Sequence, residues 1–292
     1  MSARTMRPRT AQPPTLRPRT ARPFPNALTY AFFIAVSMVM FIPFAWMLSA
    51  SLKLDQDVFS FPVRWIPENP RWLNYQEIWT TIPLGLFIFN SAKLTFFVTA
   101  LQLLTSSFAG YAFSKLQFKF KNALFLGYVA TLAMPWHVYM VPQFIMMRGF
   151  HLNNSHLGIV CLQAFSAFGV FLMRQLYQSI PDELCEAARI DGMSEYGIWA
   201  RIMLPLSKPA LSTLTIFAFV TTWNDFLGPM IYLTKTNLKT IQIGLRMFIT
   251  QYSSEYGLIM AASVVALIPV LIVFLSLQRF FVQGIATAGL KG

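Results

Sequence analysis

Residues 258–281 read LIMAASVVALIPVLIVFLSLQRFF and contain one charged side chain, Arg279. About 20 apolar helical residues cross the roughly 30 Å hydrocarbon core of a bilayer, so this stretch predicts a membrane span. Five further apolar runs of similar length lie near 28–50, 87–110, 122–142, 157–177 and 209–232. Lipid offers no partner for backbone amide and carbonyl groups, which favours helices for all of them. The sequence therefore predicts an all-α, polytopic membrane protein with six transmembrane helices.

The composition supports a membrane protein and excludes several other classes. Of the 292 residues, 55% are hydrophobic and only 12% are charged, against about 25% charged in soluble domains. Two cysteines are too few for a disulfide-stapled secreted scaffold. The sequence contains no glycine-rich loop ending in Gly-Lys-Ser/Thr, no spaced metal-ligand set and no nucleophile motif. We therefore expect no catalytic residue, no metal, no cofactor and no ATP site in this chain, which predicts that it is not an enzyme.

The distribution of basic residues predicts the orientation in the membrane. With the N-terminus inside, the segments assigned to the cytoplasm hold fifteen Lys and Arg residues, and the opposite segments hold seven. Cytoplasmic loops carry such an excess, so both termini are predicted to be cytoplasmic in a multi-pass protein of the cytoplasmic (inner) membrane. The same rule accounts for the net charge of +12 without a nucleic-acid partner.

Composition also divides the chain into zones. Residues 1–26 carry six Arg, six Pro and no acid, which predicts a disordered cytoplasmic tail. The other predicted zones are a first transmembrane helix with an extracytoplasmic interfacial segment at 27–86, a transmembrane core at 87–282 and a cytoplasmic C-terminal tail at 283–292.

The core contains one long cytoplasmic loop, 178–209, with the signals of two short helices. Ser179 with Asp182 is typical of a capping-box start, and Gly192 is typical of a helix end. Ser194 is a candidate cap for the second helix, and Pro205 is expected to stop it. The loop also carries more apolar side chains than a solvated connection needs, which indicates a binding surface.

The spacing in this loop resembles a known family. Glu186-Ala187-Ala188, three residues, Gly192, nine residues and then Ile202-x-Leu204-Pro205 match the EAA motif of membrane subunits of binding-protein-dependent ABC importers. Further stretches resemble the carbohydrate-uptake, MalG-like branch: Trp65-Ile66-Pro67 with Asn74-Tyr75, Trp223-Asn224-Asp225-Phe226, and the ending from Arg279 to Gly292. The resemblance covers about residues 28–292 and implies the MetI-like permease fold.

The resemblance also implies partners and roles. Such subunits work with a second permease, usually as a heterodimer, with an ATP-binding cassette ATPase and with an extracytoplasmic solute-binding protein. The EAA loop couples the permease to the ATPase, and this role transfers to Glu186, Ala187, Ala188, Gly192, Ile202, Leu204 and Pro205.

Trp223, Asn224 and Asp225 are the best candidates for a substrate path, because ionisable groups inside spans are costly and mark functional sites. On this interpretation Trp223 is a stacking face for a sugar. The alternative is that these polar groups hydrogen-bond neighbouring helices at a kink, since interhelical polar contacts are common in membrane bundles.

The sequence thus predicts a permease subunit of an ATP-driven importer that moves a sugar or oligosaccharide across the cytoplasmic membrane. One alternative is the same kind of subunit for glycerol 3-phosphate. Two rival classes are an ion-coupled secondary transporter, which needs coupling-ion ligands and often an internal repeat, and a membrane-bound enzyme, which needs clustered catalytic groups.

Overall fold

The computed structural model describes residues 27–249 and 255–289, with side chains described as far as Arg279. The tail predicted at 1–26 and the last three residues lie outside this part of the chain. In chain order the helices are α1 Ala27–Ala50, α2 Asp55–Val58, α3 Asn74–Thr81, α4 Leu84–Lys115, α5 Lys121–Ala130, α6 Trp136–Gly149, α7 His156–Gln163, α8 Ala167–Ser179, α9 Glu183–Ile190, α10 Glu195–Ile198, α11 Leu204–Leu206, α12 Lys208–Trp223, α13 Leu227–Tyr232, α14 Ile241–Met247 and α15 Tyr256–Gly289. Short 3₁₀ segments lie at Thr131–Ala133 and Thr236–Leu238, and a π-helical turn at Trp199–Met203.

The apolar runs become helices, but only some of them are continuous. Helix α1, helix α4 and residues Tyr256–Arg279 of α15 are each long and apolar enough to cross a membrane. Three bent helix pairs raise the number of candidate spans to as many as six among the described residues. The sharpest bend, 102°, separates Lys121–Ala133 from α6. Pro135 lies at this break, directly before α6. Proline has no backbone N–H to donate, so it cannot continue the preceding helix.

The last helix is longer than its apolar run. Helix α15 continues to Gly289, past residue 282, where the sequence predicts the start of a tail. Ala286 and Ala288 have high helix propensity, and no proline interrupts the segment.

The described chain divides into two compact units, 27–45 and the remainder from Trp46. The first unit is the greater part of α1, whose side chains from Ala27 to Phe44 are exposed and mostly apolar. An all-round apolar helix is suited to lipid or to another membrane helix.

Helix α4 is the centre of the second unit and packs along α8 and α12. Small residues allow the close approach of α4 and α8. A Cβ on Gly110 would lie 2.6 Å from Met173 Cβ, and one on Gly169 would lie 2.2 Å from Ser106 Oγ. In a lipid bilayer, van der Waals packing at small residues is a main source of helix–helix association.

One end of α4 anchors the segment between α13 and α14. The Asn90 amide donates hydrogen bonds to the carbonyl oxygens of Asn237, at 2.9 Å, and Lys239, at 3.0 Å. Asn154 Oδ1 accepts from the backbone amides of Thr234 and Lys235 at 2.6 and 3.1 Å. These bonds satisfy backbone groups of an irregular segment, so its position relative to α4 is well defined.

Candidate functional site

Helix α9 ends in a turn whose backbone conformation favours glycine. Gly192 has φ +78°, a conformation that residues with a Cβ rarely adopt. Its amide donates to Arg189 O at 3.0 Å, and the Met193 amide donates to Ala188 O at 2.9 Å. This pair of bonds is the Schellman motif, which satisfies the last carbonyl groups of a helix. The predicted helix end at Gly192 is therefore confirmed in position and in mechanism.

Helix α9 has one inner and one outer face. Cys185 and Ala188 are 1% and 5% exposed and pack in a core with Tyr111, Tyr177 and Met203. The outer face carries exposed side chains at helical spacing, and we call it the docking face: Glu183, Glu186, Ala187 and Ile190.

The two alanines of the motif therefore lie in different environments. Ala187 leaves the docking face flat, whereas Ala188 allows α9 to approach its own subunit. Ile190 is 86% exposed, an unusual position for a large apolar side chain in a short polar helix.

The second half of the loop rests on the same core. Ser194 Oγ accepts a hydrogen bond from Gly197 N at 3.3 Å, so the predicted cap is present. Ile202 and Leu204 are half-buried, and Pro205 is exposed one residue before α11 ends. The π-helical turn shifts the register between α10 and α11, a feature frequent at functional sites.

The start of α9 differs from the expectation. Ser179 belongs to α8 and donates to Leu176 O at 2.8 Å, so it forms no capping box with Asp182. Asp182 precedes α9 without capping it and pairs with Lys115 of α4. A tertiary ion pair thus replaces the local cap that the sequence suggests.

Two side chains of α4 hold the loop. Tyr111 and Lys115 are four residues apart and therefore on one helix face. The Tyr111 hydroxyl donates to Glu195 at 2.5 Å, and the Lys115 ammonium donates to Ile180 O at 2.6 Å besides its bond with Asp182.

Ion pairs also hold α9 and α10 in place. Arg189 Nε donates to Glu195 Oε1 at 2.7 Å, which joins α9 to α10 across the Gly192 turn. The hydrogen bonds from Arg189 and then Tyr111 lower the pKa of the Glu195 carboxyl, and the hydrogen bond from Lys115 lowers that of Asp182. Burial raises the pKa of the Cys185 thiol, which suits a packing role.

A second candidate site is a cavity of about 560 Å³ between α6, α7 and the segment joining α12 to α13. Asn224 and Asp225 line it, together with amide and aromatic side chains: Gln102, Trp136, Tyr139, Gln143, Gln163 and Tyr232. We call it the Asp225 cavity. Small-molecule sites are commonly about 300–1,000 Å³ and combine aromatic rings with a few placed polar groups.

Both carboxylate oxygens of Asp225 accept hydrogen bonds. Oδ2 accepts from Gln163 Nε2 at 2.7 Å, and Oδ1 accepts from Gly228 N at 3.1 Å. A Cβ on Gly228 would lie 2.6 Å from Asp225 Oδ2, so a larger residue here would have to displace the carboxylate. The carboxylate is thus held in one position at the edge of the cavity.

Trp223 does not occupy the position that a sugar-stacking role needs. It is 2% exposed, its ring stacks on Phe219, and its indole donates to Ala266 O at 3.0 Å. A face already covered by core residues cannot receive a sugar ring. Trp223 instead anchors the end of α12, from which Asn224 and Asp225 extend.

Sequence reasoning missed most of this cavity's lining. Gln143, Gln163 and Trp136 lie on segments far from Asp225 in the chain, and isolated glutamines carry no motif. In the described part of the chain, no group of three or more His, Cys, Asp or Glu side chains could hold a metal ion.

Comparison with known proteins is consistent across sequence and structure. Residues 102–287 match the family described as binding-protein-dependent transport system inner membrane component. The chain is 32% identical to the arabinooligosaccharides transport system permease protein AraQ of Bacillus subtilis, over 89% of this chain and 94% of that protein. It is 30% identical to the lactose transport system permease protein LacG of Rhizobium radiobacter, with the same two shares.

Two other comparisons extend the range of relatives. The sn-glycerol-3-phosphate transport system permease protein UgpE of Yersinia enterocolitica is 32% identical, over 86% of this chain and 92% of that protein. A solved bacterial ABC transporter involved in import of the acidic polysaccharide alginate superposes with a TM-score of 0.76 at 24% identity. That match covers 89% of this chain and all of the other, and it shows the fold.

These matches confirm the resemblance inferred from the EAA-type spacing and the all-α permease fold. They also agree with the expectation that the chain is a transport subunit and that a separate subunit hydrolyses ATP. The chain belongs to the family of binding-protein-dependent inner-membrane permeases of ABC importers.

Proposed function

We propose that this chain forms one half of the membrane path of an ATP-driven importer for a sugar or oligosaccharide. The observation that carries the proposal is the docking face of α9, an exposed surface held rigidly by α4 in a chain of this family. Its partners are a second permease, an ATP-binding cassette ATPase and an extracytoplasmic solute-binding protein. Relatives named for arabinooligosaccharides and lactose support the sugar class.

The docking face is the proposed contact with the ATPase. Glu186, Ala187 and Ile190 touch the partner directly, whereas Gly192 and Ala188 hold α9 in place. Ile202, Leu204 and Pro205 support the loop from its second half. On α9 this division follows from which side chains are exposed and which are buried, and at Gly192 it follows from the backbone turn.

Copurification tests this contact. Ala187→Trp places a bulky ring on the docking face, and we expect it to abolish recovery of the ATPase with the permease. Ala123→Trp is the matched control, since Ala123 is also exposed but lies on α5. Equal ATPase recovery with both variants would refute the proposal that the docking face contacts the ATPase.

The substrate path is proposed to include the Asp225 cavity, with Asn224 and Asp225 as wall residues and Trp223 as their support. Glycerol 3-phosphate is the competing substrate, because one relative is named for it. The ion-coupled alternative has no comparable support in a chain whose relatives are ABC permeases.

The proposed topology has six spans, the bent helix pairs counting as single spans, and both termini in the cytoplasm. Its support is the excess of basic residues on one side. A reporter that is active only in the periplasm, fused after Gly292, should remain silent. Strong reporter activity would reverse the assignment of every loop.

A further inference from the structure

The charged groups that line the Asp225 cavity indicate which charge a bound substrate can carry. Among the described residues that line it, Asp225 is the only ionisable group besides tyrosines, and no Lys, Arg or His is present. Phosphate and other anionic groups are normally bound by Arg, Lys or clustered backbone amides. The cavity offers an anion a fixed carboxylate and no compensating cation.

The remaining lining groups suit hydroxyl groups. Gln143 Oε1 accepts hydrogen bonds from Trp136 Nε1 at 2.8 Å and from the Tyr232 hydroxyl at 3.0 Å. The side-chain NH₂ group of Gln143 is therefore the group that can donate to a ligand. Gln163 donates to Asp225 and keeps its side-chain oxygen as an acceptor. The cavity therefore presents both donors and acceptors, as a ligand with many hydroxyl groups requires.

The aromatic side chains supply the apolar part of such a site. Trp136 and Tyr139 line the cavity, and the hydrogen bond from Trp136 to Gln143 fixes the indole. Rings beside a small number of oriented polar groups are the usual composition of a small-molecule pocket. Trp136, rather than Trp223, is thus the tryptophan placed to stack on a sugar ring.

We infer that the Asp225 cavity binds uncharged, hydroxyl-rich ligands and excludes anionic ones, with Asp225, Gln163 and Gln143 as the residues that set this preference. The inference rests on the proposed path and narrows its substrate to neutral sugars. It separates this chain from importers of glycerol 3-phosphate and of acidic sugars.

Thiol labelling measures the preference without knowledge of the natural substrate. In a Cys161→Ser background, where the remaining Cys185 is buried, Leu227→Cys places a thiol in the cavity wall. Membranes containing the whole importer are treated with methanethiosulfonate reagents carrying sulfonate, trimethylammonium or hydroxyl groups. The ratio of the sulfonate to the trimethylammonium rate cancels the intrinsic reactivity of the thiol.

We expect the sulfonate reagent to react most slowly. Asp225→Asn should raise the sulfonate-to-trimethylammonium ratio about fivefold, as expected for unit charges roughly 8 Å apart in a water-like medium. Thr80→Cys, at an exposed position of α3, is the control, and its ratio should not change with Asp225→Asn. An unchanged ratio at Leu227→Cys, faster sulfonate labelling, or no labelling by any reagent would each overturn the inference.

Uptake provides the second measurement. Radiolabelled sn-glycerol 3-phosphate should enter cells no faster with this importer than without it. Uptake that depends on this chain would overturn the charge inference and leave the importer function standing. Failure of the ATPase to copurify with the wild-type chain would instead refute the proposed function, whatever the labelling ratios.

Discussion

The turn at Gly192 allows a graded test of the coupling loop. Outside Gly192 and its two chain neighbours, no atom lies within 4 Å of the position that a Cβ on Gly192 would take, so a substitution meets no clash with the rest of the fold. The cost comes from the backbone alone, at φ +78°. We therefore compare Gly192→Asn, Gly192→Ala and Gly192→Val, since asparagine tolerates this conformation, alanine does so poorly and a β-branched residue is a true outlier.

The expected cost follows from the conformation. An L-residue held in the left-handed region loses about 1–2 kcal/mol, which changes a local equilibrium by a factor of about 5–30. Valine is expected at the upper end of this range and asparagine near the wild type. A rearranged turn would release the Gly192 and Met193 amides from α9 and move the docking face.

Two measurements separate coupling from folding. ATPase recovery and hydrolysis stimulated by the binding protein should fall in the order Asn, Ala, Val, while the yield of membrane-inserted permease stays constant. The spans do not include this turn, so insertion is the internal control. Wild-type coupling in Gly192→Val, or equal loss in all three variants, would refute the reasoning from backbone strain.

Two other predictions use matched controls. Tyr111→Phe removes the hydrogen bond to Glu195, and because bonds to charged groups contribute about 1.5–3 kcal/mol, it should loosen the loop and lower coupling by about tenfold. Tyr196→Phe alters an exposed tyrosine of the same loop, and it should lose neither protection from hydrogen exchange in the loop nor ATP hydrolysis by the complex. Equal effects of the two variants would contradict a specific hydrogen bond from Tyr111. Gly228→Ala should displace the cavity carboxylate and reduce transport with the complex intact, whereas Gly127→Ala, where a Cβ meets nothing within 4 Å, should transport normally. Normal uptake with Gly228→Ala would show that the carboxylate position does not matter.

The fold class and the end of α9 at Gly192 could be predicted because both depend on local sequence. Apolar runs identify spans whatever their partners, and Gly192 marks a helix end through its own backbone. The capping box at Ser179 failed for the opposite reason. A distant lysine, Lys115, pairs with Asp182, and no local pattern indicates that contact.

The Asp225 cavity, the proposed substrate site, is lined by segments distant in the chain, so the sequence indicates only part of its lining. Asp225 was identifiable because a carboxyl group in an apolar run requires an explanation. Trp223, its neighbour in sequence, points into the core instead. Trp223 is the last residue of α12, whereas Asn224 and Asp225 lie in the break before α13, so side chains close in sequence have different environments.

Helix α4 is a single continuous helix that contacts three parts of the molecule: the segment beyond α13, the Asp225 cavity and the loop 178–209. Asn90 holds the segment beyond α13, Gln102 lines the cavity, and Tyr111 and Lys115 hold the coupling loop. The helix is unbroken from Leu84 to Lys115, and at 1.5 Å per residue the distance from Asn90 to Lys115 is about 37 Å. Because the helix is unbroken and packs tightly at Gly110, we expect a tilt imposed near Lys115 to displace the Asn90 end as well.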